Sequence, residues 1–473
     1  MKQINCAFRS LSDIKGKKIT VMGLGLNHGG EAAARFFLNH GATVTVTDMK
    51  TPEELAPAVK ALQNDPEIDQ SCLRFVLGGH EAEDFSRADV VIKNPGIKYE
   101  GNQFLAVAKA IETDISVFLA LTKAPIIAVT GSKGKSTTVS AIHYGLCEAG
   151  FRAFLGGNIT VSPLTFLEQT APDTPVVLEL SSWQLADLRG RGVLRPKIAL
   201  ITPIFPDHQN WYNGMEPYVA DKRLIYADQT PDDWTICQAN DPWGDLFAVE
   251  TRARVIRYPS AAADVYLNDL LVPGAHARQN VQNAALVLSL RGVNPDEAAR
   301  ILSHWHGIPH RLEYFHTWTF TNPAGGLTAV WFYNDSAATV PEATAAASQA
   351  FGRPVHLLCG GTDKQLDFAP LADALAGQTP DAIPAASIHL LAGTGTDKLI
   401  PLLKNRGVAY NGPFASLDSL LASLQKNLTS QTSGNLEEIE EIVVFSPGAT
   451  SFGMFKNEFD RGERFKIGAT GAF

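Results

Sequence analysis

The segment Ala124 to Thr138, APIIAVTGSKGKSTT, sets a lysine and a run of hydroxyl residues directly behind two closely spaced glycines. Those residue types suit a phosphate ester. Gly131 and Gly134 let backbone N–H groups approach an anion, and the N-terminus of a following helix adds a favourable dipole. Lys135 contributes a point charge, and Ser136 or Thr137 offers a hydroxyl to Mg2+; Ser132 and Lys133 complete the loop. The spacing is shorter than in a Walker A loop, which would place glycine where this chain has Val129. A bare Gly-x-x-Gly-Lys-Ser also fits a surface turn before a helix, so the surroundings must decide. They include Glu179, near the end of the apolar run Pro175 to Leu180, and Asp207-His208, which follow the run Lys197 to Thr202. Each of the three is also an ordinary solvated loop residue. Brought to one sheet edge with the loop, they would form a site for a divalent cation and phosphoryl transfer, with Glu179 the expected Mg2+ ligand.

The elements that must position these groups are legible as an alternation of short strands and helices. Ile126 to Val129, bounded by Pro125 and the glycines, reads as a buried parallel strand, and Lys135 to Ala149 as the helix behind it. Upstream, Lys18 to Gly25 is a strand entering a glycine turn, Gly29 to His40 a helix, and Thr43 to Asp48 a strand ending in an acid. This is a βαβ unit of the Rossmann kind. Its glycine fingerprint is partial: Gly23 and Gly25 fit, but His28 occupies the third position. NAD, another nucleotide-shaped ligand and a plain tight turn all stay open. Asp89 to Lys93 is a further strand, ending in the turn Asn94-Pro95-Gly96. Downstream, Tyr218 to Tyr226 reads as a helix on which Lys222 is by default a surface charge, and Leu271 to Leu290 carries Asn280 and Asn283 as caps or turn polars. Gly307 to Arg311 looks like a linker. Beyond it Ala329 to Asn334, Val355 to Cys359, Ser387 to Ala392 and Ile442 to Phe445 are strands of a third α/β segment, and the polar tract Gln425 to Glu441 is expected to be a solvated loop and helix face.

Composition bounds the function class. A chain of 473 residues suggests about three domains at roughly 150 residues each. Hydrophobic residues at 45% and charged ones at 19% describe a globular protein with ample core. A formal charge of −9 without a Lys/Arg block argues against a dedicated nucleic-acid or anionic-membrane surface. Cys6, Cys72, Cys147, Cys237 and Cys359 are scattered and odd in number, which reads as buried thiols of a reducing compartment, not a disulfide frame or zinc site. With no apolar leader and no membrane span in the sequence, the expected location is the cytoplasm.

These pieces resemble the Mur ligase family over nearly the whole chain, and within it the branch that adds D-glutamate to UDP-N-acetylmuramoyl-L-alanine. The resemblance is carried in order by VTGSKGKSTT, GGN at 156–158, ELSSWQL at 179–185, DH at 207–208 with Lys222 beyond it, GIPHR at 307–311, NDS at 334–336 and SPGATSFGMFKNEFDRGERF at 446–465. The abbreviated phosphate loop is itself a family mark. The implied fold is α/β in three domains. Residues 1–118 would form a Rossmann-like UDP-substrate domain, 119–308 a central ATP-binding P-loop domain on a parallel sheet, and 309–473 a C-terminal Rossmann-like amino-acid domain. The implied activity is an ATP- and Mg2+-dependent ligase of peptidoglycan precursor synthesis, acting as a monomer on small molecules.

By the same resemblance, Lys135, Ser136 and Thr137 would hold ATP phosphates and Mg2+, with Asn280, Arg311 and Asp335 as further nucleotide contacts. Ser136, Glu179, His208 and Lys222 would serve the metal region, Lys222 as a carbamate. Leu26, Asn27, Asp48, Asn158, Ser181 and Gln184 would contact the UDP-sugar, and Thr339, Lys364, Ser451 and Phe452 the incoming glutamate. Closure about residues 307–311 would keep water from an acyl phosphate. Three positions depart from the family pattern: Ala337 where a lysine is common, Ala277 where asparagine is common, and Glu458 where an aromatic is usual. Ala337 and Glu458 bear on the amino-acid pocket, so L-glutamate is the alternative to D-glutamate. Another amino-acid ligase of this fold, including a folate-extending one, and a non-enzymatic nucleotide-binding relative are the remaining readings.

Overall fold

Short apolar runs bounded by proline and glycine become strands buried on both faces, the pattern of a parallel sheet covered by helices. All five residues of Ile126–Thr130 are buried, as are all four of Val176–Glu179 and of Ile198–Ile201. The computed structural model describes residues 6–25, 29–159, 161–208, 210–259, 270–378, 382–430 and 439–473. Among these described residues there are three sheets, and the chain divides into two compact units, one of Met1–Tyr266 with Asn280–Ile301, the other of Leu267–Gln279 with Leu302–Phe473. Residues 1–118 and most of 119–308 fall in the first unit, with 267–279 and 302–308 in the second, and residue 118 lies inside the helix Asp114–Leu121.

In the first unit, one parallel sheet orders its strands as Leu73–Leu77, Thr43–Asp48, Lys18–Met22, Val90–Lys93, Ile111–Glu112. Successive strands run to one side of Lys18–Met22 and then to the other, so a crevice opens at the C-ends of Lys18–Met22 and Val90–Lys93. The second parallel sheet has the order Arg254–Tyr258, Trp234–Gln238, Ile198–Ile201, Ile126–Thr130, Val176–Glu179, Phe154–Gly157. Register pairs Val129 with Glu179 and Thr130 with Ile201, which brings the three expected strand ends side by side. A single apolar core runs through both layers, from Ile19 and Val44 through Phe118 to Leu178 and Ala199.

The second unit is built on a sheet ordered Glu313–Thr321, Leu327–Asn334, Ile439–Phe445, His356–Gly360, Ser387–Leu391, Asn411–Phe414. Leu357 and Val444 face one core cluster, while Leu358 and Val443 face the other, so both sides are covered. Two features differ from expectation. Glu313–Thr321 is an antiparallel edge strand paired with Leu327–Asn334; most of its residues are half-buried, which blunts the alternation that signals a strand. Of the polar tract, Gln425 to Ser430 ends the helix Leu417–Ser430, residues 431–438 fall outside the described residues, and Glu440 and Glu441 lie in a strand, not in a loop.

Candidate active site

The strand Ile126–Thr130 delivers the phosphate loop to the sheet edge. Gly131, at φ 142°, passes so close to the neighbouring strand end that a Cβ there would lie 1.9 Å from Thr202 Oγ1. Gly134, at φ 86°, takes the left-handed conformation that starts the helix Lys135–Glu148, and no side chain caps that helix. A Cβ on Gly134 would meet the Asn280 amide at 2.6 Å. Asn280 is thus not a cap. It sits inside the helix Ala275–Leu290, 7% exposed, pressed against the phosphate loop. Ser132 is buried and ties the loop down: its hydroxyl donates to Phe205 O at 2.9 Å and lies 3.0 Å from Tyr218 Oη. Lys133 is exposed, and Thr137 is half-buried.

Cations and anions meet directly behind this loop. Lys135 Nζ donates to Gly131 O at 3.0 Å and to Ser132 O at 3.1 Å, and Lys222 Nζ donates to the same Gly131 carbonyl at 2.8 Å. The surface reading of Lys222 is overturned, for it is only 2% exposed. Burial, with the Lys135 charge beside it, pushes its amine down to about 7, while Glu179, Asp207 and Asp221 oppose that shift. Burial also lowers Lys135, against the pull of Glu179 and Asp207. Glu179 is buried and doubly held: Ser136 Oγ donates to Oε2 at 2.7 Å and Asn158 Nδ2 to Oε1 at 2.9 Å. His208 is exposed, in a left-handed conformation at φ 52°, with its ring 5.0 Å from Trp183. Among the described residues no group of three or more His, Cys, Asp or Glu side chains is placed to hold a metal. One buried carboxylate with a neighbouring hydroxyl at a phosphate loop does suit Mg2+, which keeps waters and takes its remaining ligands from phosphates.

At the first sheet, Asp48 accepts from Gly25 N and Lys50 N, each at 3.0 Å, so its carboxylate fixes the turn that follows the strand Lys18–Met22. Leu26 and Asn27, expected at the same turn, lie outside the described residues. Ser181 and Gln184 form a reciprocal capping box at the start of the helix Ser182–Asp187: Gln184 N donates to Ser181 Oγ at 3.2 Å and Ser181 N to Gln184 Oε1 at 3.0 Å.

Residues 17–118 match the family model described as "Mur ligase MurD-like, N-terminal domain", and residues 129–287 match "Mur ligase middle domain". The chain is 41% identical to the UDP-N-acetylmuramoylalanine--D-glutamate ligase of Treponema pallidum (strain Nichols), over 96% of this chain and 97% of that relative. The chain belongs to the Mur ligase family. The relative of the same name from Borreliella afzelii (strain PKo) is 37% identical over 96% of this chain and 98% of its own length. Among solved structures, UDP-N-acetylmuramate-alanine ligase MurC from Thermotoga maritima shares the fold, with a TM-score of 0.53 at 17% identity, covering 97% of this chain and 100% of that one.

The second unit of this Mur ligase carries the remaining expected residues on loops at the strand C-ends. Thr362 Oγ1 donates to Phe452 O at 2.6 Å, Thr450 N to Thr362 O at 2.9 Å and Gly448 N to Ala338 O at 3.0 Å. These bonds join the loops of Thr339, Lys364, Ser451 and Phe452. Arg461, 1% exposed, strengthens the join by donating to Ser336 Oγ, Ser336 O and Ala449 O at 3.0, 2.8 and 2.9 Å. Ser451 is buried, whereas Lys364 and Phe452 are exposed. Asp335 accepts from Ser446 Oγ at 2.7 Å and Leu312 N at 3.2 Å; burial pushes its carboxyl up to about 6, although Arg311 pulls the other way. Of the departing residues, Ala337 donates its N–H to His310 O at 3.0 Å, and Glu458 accepts through its backbone carbonyl from Ser336 Oγ at 2.7 Å. Ala277 lies on the helix Ala275–Leu290.

Tyr218 was invisible as a functional residue in the sequence. It is 1% exposed, its ring lies 4.5 Å from Lys222 Nζ and its hydroxyl contacts Ser132. Its one signal is its place four residues before Lys222, on the same face of the helix Met215–Lys222.

Proposed function

We propose that this Mur ligase joins D-glutamate to UDP-N-acetylmuramoyl-L-alanine at the expense of ATP, forming a peptidoglycan precursor. The observation that carries the reading is the convergence of Lys135, Lys222, Ser136 and Glu179 at one phosphate loop. The names of the relatives over nearly their full length support the substrate assignment.

A carboxylate is a poor acyl donor. The L-alanine carboxylate of the substrate therefore attacks the γ-phosphorus of ATP, the bond to the β-phosphate oxygen breaks, and ADP leaves. Loop N–H groups and Lys135 offset the charge that crowds around the transferring phosphoryl group. Lys135 leaves its two loop carbonyls for the phosphate oxygens. Asn280, against Gly134, lines the nucleotide side. Ser136 and Glu179 would hold Mg2+ with the phosphates, with His208 and Lys222 serving a second metal position, and the metal supplies charge neutralisation there. Burial and the Lys135 charge hold the Lys222 amine well below its ordinary value, favouring the uncharged form that reacts with CO2, which supports its role as a carbamate. The glutamate amine then attacks the acyl carbonyl and inorganic phosphate departs. Lys364, with Thr339, Ser451 and Phe452, binds the glutamate. Asp48, with Leu26 and Asn27, holds the UDP end, and Asn158, Ser181 and Gln184 line the sugar end.

The test is phosphate release from ATP in the presence of Mg2+, UDP-N-acetylmuramoyl-L-alanine and an amino acid. Release is expected only with all components present and with D-glutamate strongly preferred. Equal rates with L-glutamate sink the stereochemical assignment, which Ala337 and Glu458 make the sharpest point to check; release independent of the UDP-sugar sinks the ligase reading.

A further inference from the structure

The first unit holds two sheets that must carry opposite ends of one substrate, and they meet in two different ways. Around the helix Asp114–Leu121 the contact is mostly apolar, with Phe118 and Phe166 rings 5.7 Å apart and Leu164 buried, beside one hydrogen bond from Ser162 Oγ to Asp114 at 2.7 Å. The apolar part of that contact is non-directional and sets no angle by itself. Beside it the two layers border an open cleft of about 810 Å³, lined among others by Lys98, Trp183, Trp211 and Asp221. At this cleft the layers are bridged by charge. Lys93, the last residue of the strand Val90–Lys93, makes a charge contact with Asp187, the last residue of the helix Ser182–Asp187, at 2.8 Å, while its Nζ donates to Asn94 O at 3.2 Å and Ile97 O at 2.9 Å in its own turn. Arg191 reaches Glu112 at 2.8 Å and donates to Ile111 O at 2.6 Å; its Nε also donates to Asp187 O at 2.8 Å, so the two bridges are linked. Lys93 and Glu112 have side chains 2% exposed, and Arg191 8%.

Burying two ion pairs is an expensive way to hold an interface that apolar residues could fill, and fixing register is the best-attested use of such pairs. Lys93 precedes Asn94, whose side chain packs so closely on the nucleotide turn that a Cβ on Gly23 would lie 3.0 Å from it. Asp187 ends the helix that begins just after Glu179. We infer that the Lys93–Asp187 bridge is a positioning device: it sets the separation between the nucleotide turn of the first sheet and the Glu179 end of the second, so that a substrate held by its UDP end presents its carboxylate at the phosphate loop. The inference rests on the proposed function, because only a substrate that spans both sheets needs its two sites held at a set distance.

The experiment compares fragments with the linked substrate. In Lys93→Met, binding of ADP and of UDP, each measured alone, should stay within about twofold of wild type, while kcat for the UDP-sugar substrate falls about 10- to 100-fold. Lys93→Arg, which keeps a cation facing Asp187 and donors for the Asn94 and Ile97 carbonyls, should recover most of that loss. Should Lys93→Met fail to fold, Asp187→Asn, which keeps an acceptor for Lys93, is measured in the same way. A kcat within about twofold of wild type in the folded variant overturns the inference, as does a parallel loss of ADP and UDP binding. Failure of the wild-type chain to turn over the UDP-sugar would instead overturn the proposed function, and this inference with it.

Discussion

The phosphate loop of the first unit and the loops of the second that are proposed to bind the amino acid are both assembled at strand C-ends, yet they are built to different tightness. Around Gly131 the reactive groups are already paired with one another: Glu179 with Ser136 and Asn158, Lys135 and Lys222 with one carbonyl. In the second unit the bonds run between backbones and hydroxyls that join the loops, while Lys364 and Phe452 are left at the surface. The contrast suits the chemistry proposed for each. Phosphoryl transfer gains from charges fixed before the substrate arrives, since no reorganisation is then needed at the transition state. Recognition of a small charged amino acid needs an open approach first.

This comparison is broken most directly at Lys135. Lys135→Ala is expected to lower kcat by about 10²- to 10³-fold without unfolding the chain, because the lost group faces a loop and not the core. Residual activity above about a hundredth of wild type in the phosphate-release assay would remove Lys135 from the transition state. Lys222→Met should cost roughly a hundredfold in rate, and its stability signature has a defined sign. The amine has an ordinary value of 10.5 and a folded value of about 7, so the unfolded chain binds the extra proton between those limits. Stability from this group is complete above about 10.5 and is lost as the pH falls through about 7. Thermal unfolding in CO2-free buffer should therefore show wild type gaining on Lys222→Met as the pH rises from about 7. A gap that is flat with pH would deny the burial of the charge.

On the amino-acid side the effect should be smaller and of another kind. Lys364→Ala is expected to raise KM for glutamate about 10- to 100-fold, the worth of one charge-assisted hydrogen bond, with KM for ATP little changed. Equal increases for both substrates would place Lys364 in general folding of the second unit and not in glutamate recognition.

How far each region could be read from the sequence follows the same division. Ile126–Thr130 and Val176–Glu179 are buried at every position, so their apolar runs were unambiguous, and Lys135 and Glu179 follow from where those runs stop. What escaped depends on contacts distant along the chain. Asn280 looks like a turn residue until the helix Ala275–Leu290 presses it on Gly134, and Lys222 looks solvated until Gly131 O is found above it. Ser181 and Gln184 were expected near the sugar end by resemblance alone, and their mutual capping box was not legible. The bridge from Lys93 to Asp187 joins residues that are individually unremarkable, and no local periodicity encodes such a pair. The strand Glu313–Thr321 was lost for the opposite reason, since a half-buried edge strand carries only a faint pattern.

The smallest expected effect tests whether the second unit also stores charge in a buried place. Asp335 is 8% exposed, and its carboxyl is raised from 3.8 to about 6 because burial outweighs its two hydrogen bonds and Arg311. A raised folded value means that this group favours the fold fully below about 3.8 and that the contribution is lost as the pH climbs through about 6. Asp335→Asn removes the ionisation and keeps one acceptor, but it gives up part of the pairing with Leu312 N and Ser446 Oγ. The two changes oppose each other, leaving a net gain of about 1 kcal/mol at neutral pH that shrinks towards zero or below in acid. Denaturant unfolding at pH 4 and pH 7.5 reads the difference. If Asp335→Asn is less stable at both, the Ser446 and Leu312 bonds outweigh the buried charge, and Asp335 is held by its partners and not strained by its burial.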